Sequence, residues 1–439
     1  MINNFRITPT LLYQEYDSQR EMYSALKDYL ESGYKIKETV YLCPVITNRE
    51  EEIILSYLHI KDPGLDIKKK IHRLCKSIKT MKPDYSDTIL NVIGGIRKNY
   101  GYDFPFSDTH NVFDRKYKNC VILLIDGMGA NVLKENLDED AFLNKNISFT
   151  HHAIYPSTTA AATTSTMSGL TPLESCWTGW SNYIREMDRE IVLFTGENYY
   201  TGEPTGRPAS DFIPWKPFFS DMKVKGYTIL PDFSKPQKDI NDVLSDSLAK
   251  MNYPQSIVQY VYWPDPDSTM HEFGTYAPEA KEAIKDINEK VERYAQALPL
   301  DTILIITADH GHIPVKPINL YECDILNQYL RTKPSNDARC TVFRVKEGMD
   351  PKFERMFNQL FGEVFKLYPT REAIKNGFFG NPNGHIHERI ADFLGDYVAV
   401  ATNQFYFNYK GEKEFLFKSH HAGITREEME VPVIVIRKY

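Results

Sequence analysis

The sequence lacks several features that would assign it to a class of protein at once. Its six cysteines are dispersed along 439 residues and form no CxxC pair, which argues against a disulfide scaffold. No apolar run reaches the roughly eighteen residues that a transmembrane helix needs, so we expect no membrane span. Residues 1–20 contain no basic stretch followed by an apolar one. We therefore expect no secretory signal peptide and a cytoplasmic location.

Positive charge is also in short supply. The chain has 52 Lys and Arg against 59 Asp and Glu, which gives a formal net charge of -7. Because binding to a nucleic-acid polymer requires a basic surface, such a partner is not expected. A small anionic substrate is compatible with this balance, since bound metal ions can neutralise its charge locally. The 42% hydrophobic content is ordinary for a globular protein, and the length suits a large α/β domain with extensions or two domains.

The first 80 residues differ in pattern from the rest. Apolar residues occur at helical spacing amid charge in 18–32 and 50–60. The segment 66–82 predicts a basic amphipathic helix. Its basic side could contact an anionic partner or a membrane surface, but we favour a helix whose basic side is simply solvated and whose apolar residues pack inward. Those inward residues would be Ile71, Leu74 and Ile78. We predict a mainly helical appendage over 1–80, of unassigned role, and the main domain over 81–439.

From Lys118 onward the pattern becomes α/β. Four apolar runs predict buried strands of a largely parallel sheet, at 119–126, 256–263, 302–309 and 430–436. Helical patterns lie between them, for example at 278–299. Such alternation indicates a doubly wound sheet with helices on both faces, in which ligands gather at the carboxyl ends of the strands.

Residues with metal-binding side chains stand at or shortly after these strand ends, or in the loop before the last strand. They are Asp126, Asp267, His271, Asp309, His310 and His421. Three carboxylates and three imidazoles from four segments suit a pair of divalent metal ions. Any one of these aspartates alone would more simply be a turn residue or helix cap, and His420 is an alternative to His421.

A dinucleotide site after the first strand is the weaker alternative. Gly127 and Gly129 fit the first two glycines of GxGxxG, but Val132 occupies the third position. The carboxylate of Asp126 would also repel a pyrophosphate that carried no metal ion.

The threonine-rich segment 155–169 offers a nucleophile. Pro156 and Ser157 end an extended stretch, and the following residues predict a helix that stops at Gly169, with Thr159 in its first turn. Unpaired N–H groups and the positive end of the helix dipole favour a phosphoryl anion there. A threonine hydroxyl needs a metal ion or a base to lose its proton. The alternative is a helix whose threonines only cap and pack.

Other residues carry weaker signals. His385 and His387 are more typical of a surface loop than of a metal site, and His151 and His152 of a structural role. His312 and Asp265 adjoin predicted ligands and could orient them. Four aromatic residues could stack on a base or line a leaving-group pocket, although core packing is at least as common at such spacings. They are Trp177, Trp180, Tyr183 and Trp215.

Five motifs in order resemble the alkaline phosphatase superfamily, and most of all its type I phosphodiesterase/nucleotide pyrophosphatase branch. They are IDGMG (125–129), YPSTTAAATTSTMSGLTP (155–172), PDxxxH (266–271), ADHG (308–311) and HxGIT (421–425). The resemblance covers roughly residues 82–439 and implies an alkaline phosphatase-like catalytic domain.

The resemblance also implies roles for single residues. Asp126, Asp309 and His310 would hold one zinc ion together with Thr159, and the second ion would be held by a further set. That set is Asp267, His271 and His421. Thr159 would be the nucleophile and would form a phospho-threonine intermediate that water hydrolyses. Mn²⁺ or Fe would tolerate the same ligands, so zinc is implied by the resemblance alone.

The chain departs from the family pattern beside Thr159. The Asn that helps to bind a phosphoryl oxygen in nucleotide pyrophosphatases, and the aromatic residue that stacks on the base, are not found where we expect them; Ala162 and Ala160 stand there. Ser175 and Cys176 interrupt a further motif. We therefore expect a hydrolase of a small phosphodiester or pyrophosphate. A phosphomonoesterase or phosphomutase is the alternative, and a non-catalytic regulatory member is the third hypothesis.

Overall fold

The computed structural model describes residues 78–235, 239–252, 254–411 and 416–439. The helices predicted at 18–32 and 50–60, and most of the one at 66–82, therefore lie outside the described residues. The part of 66–82 that is described is not helical, so that prediction is wrong there. Thr80 forms a β-bridge with Thr425, and Met81 N donates to Ile424 O at 2.8 Å. These pairings hold the segment in an extended conformation, while the Ile78 side chain packs inward as expected.

The described residues form the following strands. They are β1 Asn119–Ile125, β2 Ile147–His152, β3 Ser181–Ile184, β4 Arg189–Val192, β5 Lys225–Ile229, β6 Ile257–Trp263, β7 Thr302–Thr307, β8 Ile313–Pro314, β9 Lys316–Asn319, β10 Ser335–Asn336, β11 Cys340–Phe343, β12 Phe365–Pro369, β13 Tyr397–Ala401, β14 Phe405–Asn408, β15 Ser419–His420 and β16 Glu430–Lys438.

Helices alternate with these strands. They are α1 Ile89–Asn99, α2 Ala130–Asn136, α3 Phe142–Lys145, α4 Thr159–Ser168, α5 Pro172–Ser175, α6 Ile240–Lys250, α7 Asp267–Phe273, α8 Pro278–Ala297, α9 Asp324–Asn327, α10 Asp350–Phe361, α11 Thr370–Lys375, α12 Ile390–Leu394 and α13 Arg426–Met429. Among the described residues, no helix combines the length and the apolar character that crossing a membrane requires.

The central sheet has the strand order β2-β16-β7-β1-β6-β5. β1 pairs in parallel with both β6 and β7, and β5 pairs in parallel with β6. β16 is antiparallel to its neighbours β7 and β2. All four predicted strands are present, and the prediction of a doubly wound, largely parallel sheet is confirmed.

Both faces of this sheet are covered. On β1, Val121 and Leu123 belong to one buried cluster, which includes residues of α2, α6 and α8, whereas Ile122 and Leu124 belong to another, which includes residues of α1 and α4. Successive side chains of a strand point to opposite faces, so a strand apolar at every position needs cover on both sides. This double burial explains why the strand sequences are continuous apolar runs.

A second sheet, which the sequence pattern did not predict, is antiparallel throughout. Its order is β12-β13-β11-β10-β3-β4, and α10 packs against it through a cluster rich in phenylalanine. The segment between β10 and β11 connects this sheet to the central unit, because Arg339 in that segment forms an ion pair with Glu428 of α13. The strands are short, two to five residues each, so their periodicity is too brief to recognise from sequence.

Candidate active site

The central sheet brings the predicted acidic residues to one edge. β1 lies between β6 and β7, and each of the three strands ends just before a predicted ligand. Asp126 follows β1 directly, Asp309 lies two residues beyond β7, and Asp267 begins α7 after a short turn from β6. All three strands are parallel, so their carboxyl ends open on the same side.

Glycines allow the loops after β1 and β7 to approach each other. A Cβ atom added to Gly129 would lie 2.4 Å from Gly311 Cα, and one added to Gly311 would lie 2.0 Å from Glu427 O. Real Cβ atoms do not tolerate such distances, so both positions require glycine. Gly129 and Gly311 therefore allow the two loops to pack against each other, which explains these glycines without a dinucleotide site.

The first cluster consists of Asp126, Asp309 and His310, whose ligand atoms all lie within 4.8 Å of one another. His310 Nε2 is 3.4 Å from Asp126 Oδ1 and 3.5 Å from Asp309 Oδ2. His310 Nδ1 lies 3.1 Å from Gly311 O, to which it can donate, so Nε2 is left as the ligand atom. The structure brings together all three residues predicted for the first ion.

Thr159 lies at this cluster. Its Oγ1 is 3.4 Å from Asp126 Oδ1 and 3.3 Å from His310 Nε2, and the residue is 9% exposed. It is the first residue of α4, which ends, as predicted, at Gly169 in the left-handed conformation (φ 77°). Thr158, which caps this helix, makes no side-chain cap hydrogen bond. The first-turn N–H groups can therefore bind an anion next to the Thr159 hydroxyl.

Ala162, one of the departures from the family pattern, lies in α4 and is buried. It is 1% exposed and belongs, with Ala161, to the apolar cluster that also contains α1. A polar side chain at this position would be buried against that core.

The second cluster consists of Asp267, His271 and His421. His271 Nε2 and His421 Nε2 lie 3.4 and 3.6 Å from Asp267 Oδ1, and 3.2 Å from each other. Backbone carbonyls orient both rings, because His271 Nδ1 is 2.9 Å from Ser419 O and His421 Nδ1 is 3.1 Å from Ser157 O. The second predicted ligand set is thus also assembled.

The choice between His420 and His421 follows from the directions of the two rings. His421 Nε2 faces Asp267, and the His421 ring stacks on His310 with centroids 3.7 Å apart. His420 lies in β15, and its Nδ1 accepts a hydrogen bond from His421 N. His420 belongs to one possible metal-binding group, with His271 and His421, whereas His421 also belongs to the group that contains Asp267 and His310. The geometry therefore favours His421 over His420 as the ligand in the second cluster.

The acidic groups of the first cluster are buried and close to one another. Burial, together with the Asp309 and Asp267 carboxylates, raises the pKa of Asp126 well above its usual range, although Tyr262 Oη donates a hydrogen bond to it. Asp309 Oδ1 accepts from Gly127 N at 3.0 Å, whereas the buried Oδ2 atom has no hydrogen-bond partner. A cation bound between these oxygens would relieve both features.

His271 and His421 are suited to metal ligation because burial favours their neutral form. Burial lowers the pKa of His271 and lowers that of His421 well below its usual range. A metal ion binds the neutral imidazole through its lone pair. Buried carboxylates, an oxygen without a partner and neutral imidazoles form a donor set that fits divalent ions.

A buried ion pair that sequence reasoning missed holds the loop of His421. Arg339 and Glu428 are both fully buried and bonded twice, at 2.7 Å for each contact. Glu428 also accepts hydrogen bonds from Gly423 N at 2.8 Å and from Thr425 N and Oγ1 at 3.1 and 2.7 Å. The Thr425-x-x-Glu428 capping box was a readable signal of the helix start. Nothing in the sequence indicated its partner Arg339.

The remaining candidate residues have other surroundings. Asp265 accepts from Thr269 N and Oγ1, at 3.3 and 3.1 Å, within the first turn of α7. His385 is exposed, and neither it nor His387 belongs to a possible metal-binding group among the described residues. His151 lies in β2, with Nε2 3.3 Å from Thr307 Oγ1. These positions support the structural or surface interpretations of the three histidines.

The tryptophans form an aromatic cluster around Phe194. Trp177 contacts Phe194 and Trp215, with centroids 5.5 and 6.1 Å apart, and Trp180 contacts Phe194 at 5.9 Å. Trp177 is nearly buried, whereas Trp180 and Phe194 are 40% and 47% exposed. Tyr183 lies apart in β3 and donates to Asp188. The cluster is part core and part open surface.

Residues 120–424 match the family model for type I phosphodiesterase / nucleotide pyrophosphatase. This range spans both clusters and Thr159. Solved structures that are similar in fold include two ectonucleotide pyrophosphatase/phosphodiesterases and a phosphonoacetate hydrolase. Murine ectonucleotide pyrophosphatase/phosphodiesterase 5, as an inactive variant in complex with AMP, has a TM-score of 0.55 at 16% identity, covering 73% of this chain and 89% of that one.

The human ectonucleotide pyrophosphatase/phosphodiesterase 5 has a TM-score of 0.53 at 15% identity, covering 72% of this chain and 87% of that one. Phosphonoacetate hydrolase from Sinorhizobium meliloti 1021, in complex with phosphonoformate, has a TM-score of 0.51 at 14% identity, with coverages of 72% and 89%. At these identities the structures establish the fold. The family match extends over most of the chain, and with it the protein belongs to the type I phosphodiesterase/nucleotide pyrophosphatase family of metal-dependent phosphoric ester hydrolases.

Proposed function

We propose that this protein hydrolyses a small phosphodiester or pyrophosphate by way of a phospho-threonine intermediate on Thr159. The observation that carries the proposal is the position of the Thr159 hydroxyl. It lies 3.4 Å from Asp126 and 3.3 Å from His310, at the first turn of a ten-residue helix. A hydroxyl beside a possible metal cluster and next to unpaired N–H groups is suited to in-line attack on phosphorus.

Two divalent ions complete this proposal. Asp126, Asp309 and His310 would hold one ion with Thr159, and the second cluster (Asp267, His271 and His421) would hold the other. When bound, such ions favour ionisation of a nearby hydroxyl and neutralise charge on the phosphoryl oxygens. Zinc suits the mixture of imidazole and carboxylate, and Mn²⁺ or Fe are the alternatives.

The reaction proceeds in two displacements. Thr159 Oγ1 loses its proton and attacks phosphorus, the bond from phosphorus to the leaving-group oxygen breaks, and the leaving group takes up one proton, so that protons balance over the step. Water then attacks the same phosphorus, the bond to Oγ1 breaks, and the hydroxyl of Thr159 is restored. In both steps the N–H of Ala160 is placed to donate to a phosphoryl oxygen, since it lies in the first turn of α4.

The arginines of the described structure support a diester as substrate over a monoester. A monoester carries more negative charge than a diester does. A monoesterase would place a free cationic side chain at the site to bind that charge. Arg185 and Arg207, two cationic side chains that could take this role, are at least half exposed and pair with Asp392 and Asp211. Arg339 is fully engaged by Glu428 of α13 and by two backbone carbonyls.

One of the similar structures adds support. The murine relative was made inactive by a threonine-to-alanine substitution and binds AMP. Both properties belong to that protein, but they agree with a threonine nucleophile and with a nucleotide as substrate or product here. A phosphomonoesterase or phosphomutase on the same fold is the alternative outcome of the test.

The first experiment compares the rates on bis-p-nitrophenyl phosphate and p-nitrophenyl phosphate, with zinc or manganese added. We expect a preference for the diester that disappears in Thr159→Ala while metal content and folding are kept. Thr166→Ala is the matched control, because Thr166 is a buried threonine of the same helix that donates only to Ala162 O, at 2.7 Å. A monoester preference would favour the phosphatase alternative, and full activity of Thr159→Ala would refute the nucleophile.

A further inference from the structure

His312 stands beside the second cluster without belonging to the set that the family pattern predicts. It is fully buried, and its Nε2 atom lies 2.6 Å from Asp267 Oδ1. Its ligand atom also lies within 4.8 Å of those of His310 and His421. A buried imidazole this close to a proposed metal ligand either donates a hydrogen bond to that ligand or binds the ion itself.

The hydrogen bond on the other side of the ring distinguishes these two roles. His312 Nδ1 lies 3.0 Å from Ser419 Oγ, and Ser419 Oγ donates to Met270 O at 2.6 Å. A hydroxyl has a single proton, so Ser419 Oγ can only accept from His312. The Nδ1 atom must therefore carry hydrogen, and in a ring with one proton the Nε2 atom carries a lone pair.

This lone pair points at a carboxylate oxygen. Two acceptors 2.6 Å apart repel each other unless a cation binds to both, and His312 is shielded from water. The arrangement of Nδ1 repeats that of the proposed ligands. His271, His310 and His421 each hold Nδ1 against a backbone carbonyl, at 2.9, 3.1 and 3.1 Å, and present Nε2 to the same space.

We propose that His312 binds the second metal ion through Nε2, as a fourth protein ligand beside Asp267, His271 and His421. The proposal rests on the two-ion site of the proposed function, and it extends the ligand set by one imidazole. Ser419 then has a double role, since its carbonyl orients His271 and its hydroxyl orients His312. An additional nitrogen ligand would bind the second ion more tightly than three ligands do.

The direct test is a crystal structure of the zinc-loaded wild-type protein. If His312 is a ligand, its Nε2 should lie about 2.0–2.1 Å from the second zinc ion. An ion bound by Asp267, His271 and His421 with His312 Nε2 more than about 3 Å away, still hydrogen-bonded to Asp267, would overturn the proposal.

Zinc affinity, measured by competition with a chelator, gives an independent readout. Removal of a residue that only orients a ligand typically weakens metal affinity about 10- to 100-fold. We expect His312→Ala to weaken the affinity for the second ion by more than this range, and His312→Gln to weaken that affinity as strongly. Glutamine keeps an N–H donor for Asp267, so affinity restored to near wild type in His312→Gln would identify a hydrogen-bonding role and refute ligation.

The matched control is His151→Ala, which removes another buried imidazole that belongs to no possible metal-binding group within the part of the chain that the structure describes. Its zinc affinity should equal that of the wild type. Failure of the proposed function is distinguished from failure of this inference, because metal binding is measured without turnover. If the wild-type protein binds two ions but cleaves no ester, the proposed function fails and the zinc-bound crystal structure still decides whether His312 is a ligand. If the protein binds fewer than two ions, the proposed function and this inference are both refuted.

Discussion

Replacing Glu428 by glutamine removes the charge that neutralises Arg339, the buried arginine whose partner Glu428 accepts hydrogen bonds from the loop of His421. Both side chains are fully buried, and Arg339 also donates to Asn403 O at 2.8 Å and to Phe405 O at 2.5 Å. Breaking a buried ion pair by changing one partner leaves an uncompensated charge and costs about 3–5 kcal/mol. We expect Glu428→Gln to lower the free energy of unfolding by this amount.

The same change should weaken metal binding at the proposed second site. Glu428 binds the N–H groups of Gly423 and Thr425, which follow His421 at a turn where Ala422 has a φ of 85°. A glutamine offers one acceptor oxygen where the carboxylate offers two, so part of this turn loses its bonds. Since His421 is placed by that turn, we expect a loss of zinc affinity of about 10- to 100-fold, the range seen when a residue that supports a ligand is removed.

Urea denaturation followed by circular dichroism measures the first effect, and chelator competition measures the second. Arg426→Gln is the control, because Arg426 forms an ion pair with Glu430 on the exposed side of the same segment. Exposed pairs contribute little to stability. A Glu428→Gln protein as stable as the control variant, with unchanged zinc affinity, would refute the role assigned to the Arg339–Glu428 pair.

Two further predictions concern groups outside the metal clusters. Burial raises the pKa of Asp337 from 3.8 to about 7, so the stability that its protonated form contributes is present below pH 3.8 and is lost as the pH rises through 7. The Asp337→Asn side chain cannot ionise, so this change should raise the free energy of unfolding by about 2–4 kcal/mol at pH 8 and change it little at pH 4. The control is Asp140→Asn at an exposed position, which should change the free energy of unfolding at neither pH. Equal effects of Asp337→Asn at both pH values would contradict the prediction. Deleting residues 1–77 should retain hydrolysis of a small synthetic ester, whereas deleting 1–82 should destabilise the protein, because it removes the bonds from Lys79 O and Met81 N to the segment 424–426. Loss of activity in a folded protein lacking 1–77 would show that those residues shape the site.

The central strands and the nucleophile helix could be predicted because their signals are local. β1, β6 and β7 are runs of consecutive apolar residues, and α4 ends at Gly169 where the left-handed conformation favours glycine. A parallel sheet then requires its carboxyl ends to share one edge, so the convergence of Asp126 and Asp309 followed from the strands alone.

Predictions that needed knowledge of neighbours were less successful. The residues 78–82 were predicted to be helical, but they pair with the loop around Thr425, a partner more than 300 positions away. The second sheet consists of strands of two to five residues whose pairings skip along the chain. Local patterns of that length do not distinguish strand from loop.

The sequence by itself therefore determined four of the six strands of the central sheet and which side chains stand near their ends, because periodicity and turn chemistry act between adjacent residues. Only the tertiary structure decided how those side chains are oriented. The approach of His421 to Asp267, the contact of His312 with Asp267, and the neutralisation of Arg339 by Glu428 each join residues at least 45 positions apart. These contacts depend on how packed elements place their loops in space, and no pattern of neighbouring residues encodes that distance.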